Sequence, residues 1–359
     1  MNIRALFFIW LVVLGLVVGL TTGCSGAKKS TAKSKETIAE PIRHEAGGQA
    51  QVSGCDNELA DVFFISRATL PDGAPASATN DEGRIGFIVG QANTILKTTD
   101  GGATWRRILP RQPLGPHFER VLFLSTNAGW AMSQGALLHT GDGGTTWMPA
   151  PELPEKFYYF GPAAVTASNY YQMQPPTCSA SIWKTRDGSA WQKLPTGLPK
   201  NDYEAVFFFN ETCGWVAGNY GQCARTVDGG LTWQKQVLEG AAHFSQVQFI
   251  SPQTGWMRPV MGHEGNIWAT RDGGQSWQKQ STGIKTYWNL LDMQFLDAQT
   301  GFLLVHVQSK QSQVMRTTDG GASWKLIGTH AADMTALSFI SAREGWVVGA
   351  GGCVFHYQL

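Results

Sequence analysis

Charge is scarce in this sequence: only 15% of its 359 residues are Asp, Glu, Lys or Arg, and the formal net charge is +1. A nucleic-acid partner asks for a basic face, and composition offers no argument for one. Histidine is thin as well. The 8 His are dispersed, with no two at metal-ligand spacing, and His263-Glu264 is accounted for by a surface loop. No Gly-rich loop leads into a helix to cradle a phosphate, and hardly any helix is expected. No cofactor follows from these residues. What the chain has instead is 42 Gly and 14 Trp, a composition suited to many short strands joined by tight turns.

The first 24 residues read as a processing segment. Arg4 supplies a basic start, and Ala5 to Leu20 is an uninterrupted apolar stretch. That stretch is shorter than the ~20 residues of a bilayer span and suits a signal sequence. It ends at Leu20-Thr21-Thr22-Gly23-Cys24, which resembles the lipobox of bacterial lipoproteins, with Thr21 where Leu is usual. The resemblance implies lipid attachment at Cys24; ordinary cleavage and an uncleaved anchor are the alternatives. Each places the rest of the chain outside the cytoplasm, on a periplasmic or lumenal side of a membrane. Residues 25–48 are rich in Lys, Ser, Ala, Glu and Gly and nearly free of large apolar side chains. Such a segment buries too little to offset its ordering entropy and reads as a flexible tether.

From residue 49 onward an internal repeat organises the chain. Thr-Thr-Asp-Gly-Gly-Ala-Thr-Trp at 98–105 recurs in variant form around Asp142, Asp187, Asp228, Asp272 and Asp319, each following Asp100 by steps of 42, 45, 41, 44 and 47 residues. That period is the length of a four-stranded propeller blade. The Asp accepts turn hydrogen bonds, the Gly pair supplies positive φ, the Ser or Thr bonds back across the turn, and the Trp plugs a gap beside the strands. The third copy is one residue shorter between Asp187 and Trp191, so its turn is expected to be distorted. Upstream of most boxes stands an apolar strand, a polar turn, and Gly-Trp or Gly-Phe, as at Gly214-Trp215, Gly255-Trp256 and Gly345-Trp346. Each unit therefore reads as four strands, the second opening at Gly-Trp and the fourth opening at the box Trp.

Strand counting gives an all-β, seven-bladed propeller over residues 49–359, with six Asp-box hairpins. The seventh blade runs out of chain after three strands, and an open ring leaves an unpaired edge. Gln49 to Ser53 is expected to supply its fourth strand. Cys55 and Cys353 then fall near one seam, and export permits a disulfide between them. Cys178–Cys223 is a weaker pairing that leaves Cys213 free.

The combination of apolar strand, Gly-Trp-Val-x-Gly and box is clearest at Gly214–Gly218 and Gly345–Gly349. It resembles the photosystem II assembly and stability factors, over roughly residues 60–359. That resemblance implies a non-enzymatic, membrane-tethered propeller acting as a scaffold or assembly factor for another membrane or extracytoplasmic protein. The family carries an arginine-rich patch on one face, and here Arg106, Arg107, Arg111 and Arg120 cluster around the loop joining blades one and two, on the rim opposite the boxes, as candidate partner-binding residues without a one-to-one match to a family motif. The irregular Leu70 to Asp81 insertion and the tyrosines of the third blade depart from the pattern. The competing reading is a glycan-binding or sialidase-like propeller, whose chemistry needs an arginine triad and a Tyr–Glu pair. Arg84-Ile85-Gly86 and Arg107-Ile108-Leu109-Pro110 only approximate its Arg-Ile-Pro segment. Glu204 and Asp292 remain as carboxylates that approach the channel, and Trp288 as a candidate sugar-stacking ring; polar lining is the simpler account of the two acids.

Overall fold

The computed structural model describes residues 48–66, 69–71, 83–108, 117–133, 136–150, 163–165, 169–174, 181–186, 190–195, 197–198, 203–240, 243–259, 265–284, 289–308 and 310–359. Among these residues, 28 strands form seven four-stranded antiparallel sheets. Blade 1 runs Leu59–Phe64, Gly86–Gly90, Thr94–Thr98 and Arg106–Arg107 from the channel outward. Five further blades repeat this meander. The seventh takes Met334–Phe339, Glu344–Gly349 and Cys353–Gln358 from the C-terminus, then borrows Gln49–Val52 as its outer strand. Gln49 lies opposite His356 and Val52 opposite Cys353, so the expected closing strand is present. The second strands open at Gly86, Gly129, Gly214, Gly255 and Gly301, with Gly345 one residue inside its strand. The outer strands begin one residue after the box Trp, at Arg106, Met148, Gln192, Gln234, Gln278 and Lys325, and not at the Trp itself.

The Gly-Trp pair has a packing reason. A Cβ on Gly301 would meet the ring of Phe295 at 2.6 Å, and one on Gly255 would meet Phe249 at 2.5 Å. The Gly makes room for the Phe that ends the inner strand. The Trp beside it then points at the next blade, where it stacks on that blade's Phe: Trp215 on Phe249 at 3.5 Å, Trp256 on Phe295 at 3.6 Å, Trp346 on Phe64 at 3.5 Å. The box Trp closes the same Phe edge-on, as Trp324 does against Phe295 at 78°. Each Phe thus sits between its own box and the preceding blade. The gap between blades, assigned from sequence to the box Trp, is filled chiefly by the Trp of the second strand.

Blade 3 reaches the same stacking with a tyrosine where the other blades have the glycine. Val165 stands opposite Tyr170, where the other blades pair Phe with Gly. Trp130 stacks on Tyr170 at 4.6 Å, and Trp191 meets Tyr170 at 73°. Tyr170 therefore supplies the ring that the inner strand lacks. Tyr171 takes the Trp position and stacks on Phe208 at 3.9 Å.

The boxes follow one hydrogen-bond plan. Thr270 Oγ1 donates to Asp272 Oδ1 at 2.8 Å and accepts from Gly274 N at 2.9 Å. Asp272 Oδ1 accepts Ser276 N at 2.9 Å, and Oδ2 accepts Ser276 Oγ at 2.6 Å. The same bonds to the carboxylate recur at Asp100, Asp142, Asp228 and Asp319. Gly273 and Gly274 hold φ of +75° and +86°, values that a side chain would penalise. Asp187, Cys178, His263, Glu264 and Trp288 lie outside the described residues, as do Cys24 and the segments read as signal and tether.

The cysteine expectation is corrected here. The seam brings the backbones together, since a Cβ on Gly352 would strike the Cys55 carbonyl oxygen. Both residues are nevertheless free thiols. Side chains alternate across a strand, and Cys353 falls with Phe355 and Tyr357 on the face packed against blade 6. Cys55 packs with Val354 on the opposite face, against blade 1. Its sulfur approaches Thr94 Oγ1 at 3.8 Å. Cys213 and Cys223 are free as well.

Candidate functional site

The inner strands carry one edge each toward the central channel, and the backbone groups on that edge need partners. Polar side chains of the preceding blade supply them. Gln248 accepts from Phe295 N at 2.8 Å and donates to Phe295 O at 2.9 Å. Gln294 does the same to Phe339, accepting at 2.6 Å and donating at 3.0 Å. A carboxamide here imitates a strand residue, one acceptor and one donor at ladder spacing. Ser338 Oγ accepts Phe64 N at 3.2 Å across the closing seam. Asp61 Oδ2 accepts Val121 N of blade 2 at 2.9 Å, and Asp292 Oδ2 accepts Leu337 N of blade 7 at 3.0 Å.

These staples border a cavity of about 220 Å³ in the channel. Its wall has two characters. The polar arc holds Gln246, Gln248, Asp292, Gln294 and Ser338, and the apolar arc holds Phe63, Leu122, Ala205 and Phe207. Arg120 stands on the inner strand Phe118–Phe123 of blade 2, within the apolar arc and on the same strand as Leu122. On the polar side Asp292 is fully occupied: Oδ1 accepts Gln246 Nε2 at 3.0 Å and Met293 N at 2.8 Å. Arg258 donates Nε to Gln246 Oε1 at 2.8 Å and Nη1 to the Leu290 carbonyl. Loss of water pulls the Arg258 guanidinium down to about 10, with Asp292 opposing the shift, so it stays cationic at neutral pH. Asp61, on the inner strand Leu59–Phe64, is partly exposed as a residue, yet removal from water raises its carboxyl to about 7 against the pull of Arg120.

The four arginines expected to form one patch are not together. Arg106 and Arg107 occupy the exposed outer strand of blade 1, and Arg107 Nη2 donates to Ala92 O at 2.7 Å. Arg120 belongs to the innermost strand of the next blade. A four-stranded blade is about 14 Å across, which separates outer from inner strands on geometry alone. Arg111 lies outside the described residues. The two channel acids also part company: Asp292 lines the cavity and is committed to its staples, whereas Glu204 is exposed on the inner strand Tyr203–Phe208. Asp61 and Arg258 were missed from sequence. The available signal was positional: Asp61, Arg120, Gln246 and Asp292 each stand three residues before the terminal Phe of an inner strand. Among the described residues no three His, Cys, Asp or Glu gather at a metal-binding distance.

Comparison with known proteins agrees with this architecture. A family model described as "Photosynthesis system II assembly factor YCF48" matches residues 75–196, and one described as sortilin, neurotensin receptor 3, matches residues 221–344. The chloroplastic photosystem II stability/assembly factor HCF136 of Arabidopsis thaliana is 24% identical over 310 residues, covering 77% of this chain and 73% of the relative. The photosystem II assembly lipoprotein Ycf48 of a Nostoc species is 28% identical over 327 residues, covering 84% and 87%. A solved structure of YCF48 bound to D1 peptide superposes with a TM-score of 0.65 at 18% identity, over 91% of this chain and 100% of that one. A glycoside hydrolase of Niastella koreensis shares the fold at a TM-score of 0.58 and 15% identity, over 84% of this chain and 43% of the enzyme. At such identities the solved structures speak to fold alone, and propeller folds host both binders and enzymes. Box pattern, blade count and the named relatives converge: this chain is an Asp-box β-propeller similar to the photosystem II assembly factors.

Proposed function

We propose that this chain is a non-catalytic propeller, tethered to the outer side of a membrane through Cys24, that binds another protein as an assembly factor or scaffold. The observation that carries the reading is its likeness, along 77% to 84% of its length, to photosystem II stability and assembly factors, some of them named lipoproteins. A relative of the same fold is bound to a peptide, which supports a protein ligand. The channel chemistry points the same way. Asp292 and Gln246 are held by backbone and by Arg258, which leaves them no freedom to shuttle protons. A sialidase-like site would need Tyr and Glu in the channel, and the described residues lining the cavity include neither.

The test is affinity capture of the tagged full chain from chemically cross-linked membranes of its own host. Recovery of a membrane protein is the expected result; recovery of envelope glycans alone would overturn the scaffold reading in favour of the glycan-binding one. Cys24→Ala should move the chain from the membrane fraction to the soluble fraction. Full membrane retention of that variant would remove the lipid anchor from the account.

A further inference from the structure

Most polar groups around the channel are committed to one another, and two are not. The Arg120 guanidinium lines the cavity, half-buried, with no hydrogen-bond acceptor among the described residues; Asp61 acts on it through its field, while its own oxygens accept Val62 N and Val121 N. The Ser245 hydroxyl, also in the cavity wall, is buried without a partner. A guanidinium carries five donors in a fork that favours a planar carboxylate, and Arg120 presents that fork to the cavity. Beside Arg120 lies the apolar arc of Phe63, Leu122 and Phe207. The cavity, about 220 Å³, falls below the roughly 300 Å³ at which pockets for drug-sized ligands begin. It has room for one side chain with its terminal group.

We propose that the channel cavity is a receptor for a small amphipathic carboxylate, with Arg120 taking the carboxylate and the Phe63–Leu122–Phe207 side taking the apolar body. The same chemistry is offered by the C-terminal residue of a protein chain and by a free aryl or alkyl acid. If the ligand is a chain terminus, the site rests on the scaffold reading above, as the place where part of the partner is held. Ser245 supplies a second donor at the polar side.

The experiment is calorimetric titration of the detergent-solubilised full chain with three probes: the tripeptide Ala-Ala-Phe as free acid, the same peptide as C-terminal amide, and 3-phenylpropionate. The free-acid peptide should bind at least about tenfold more tightly than the amide, the difference set by a charge-assisted contact. Arg120→Gln should reduce the acid to the level of the amide, and Arg120→Lys should keep part of the preference. A tighter peptide acid than 3-phenylpropionate assigns the site to chain termini, and the reverse order assigns it to free acids. Equal binding of acid and amide by the unaltered protein, or binding of neither, overturns the proposal without recourse to any variant. Discrimination that survives Arg120→Gln overturns the assignment to Arg120. Capture of a membrane partner by Arg120→Gln at the yield of the unaltered chain separates the two readings, since it leaves the scaffold standing whatever happens to the cavity.

Discussion

Asp61 stands on the inner strand of blade 1 with its carboxyl raised to about 7 by loss of water, Arg120 pulling the other way. The exposed box acids run opposite: hydrogen bonds from Thr104, Thr232 and Ser323, first in each case, hold Asp100, Asp228 and Asp319 down at about 2. Linkage turns these directions into two limbs of a stability profile. A raised carboxyl makes the folded state the tighter proton binder, so the contribution of Asp61 is complete below about 4 and is lost as pH rises through about 7. A depressed carboxyl makes the unfolded chain the tighter binder, so the boxes contribute above about 4 and that share is lost as pH falls through about 2. Thermal melts should therefore show Tm falling between about pH 4 and pH 7 and levelling off above that, and Asp61→Ala should flatten that limb while leaving the acid limb in place. An identical slope in the variant would show that Asp61 does not titrate there. The residue scale was the least legible in sequence. A lone Asp or Arg in an apolar strand reads as one half-buried position among many, and its meaning depends on the neighbouring blade that supplies Val121 N or Leu290 O.

At the scale of the blade, the unit is a Phe clamped between its own box Trp and the Trp of the preceding blade. Phe295 is buried between Trp256 and Trp324. Phe295→Ala should cost about 3–5 kcal/mol, the range for deleting a buried aromatic ring, seen as a fall in Tm of roughly 6 °C or more. A change in Tm within error would contradict the clamp. Blades were readable because their positions are fixed by local chemistry: the box needs Asp and two Gly to turn, and the second strand needs Gly to admit the Phe. Tyr158, Tyr159, Tyr170 and Tyr171 looked like departures from the pattern. The last two restore it, because Tyr170, at the position of the Gly, keeps a ring in the stack against Trp130 and Trp191. Pattern reading tracks identity at each position, whereas the stack needs only a ring in the right place. Nor could the Cys55–Cys353 bond be read from proximity. Cys353 packs with Phe355 and Tyr357 beside blade 6, whereas Cys55, beyond the end of the closing strand, packs with Val354 beside blade 1.

The ring as a whole closes by joining the two ends of the described propeller, Gln49–Val52 against Cys353–Gln358. That closure followed from counting strands, because a ring with an open edge is a liability whatever its function. Function was less legible, since the boxes that dominate the sequence are spent on turns and the channel is built from a few residues of each of several blades. The account makes the channel side of the propeller its working surface and the outer strands its wall. Site-specific photo-crosslinking in native membranes separates these directly, with a photoreactive residue placed at Glu119, exposed on an inner strand, or at Lys235, exposed on an outer one. The account predicts a discrete membrane-protein adduct from position 119 and none from position 235. Adducts from position 235 alone, or no protein adduct from either, would contradict it.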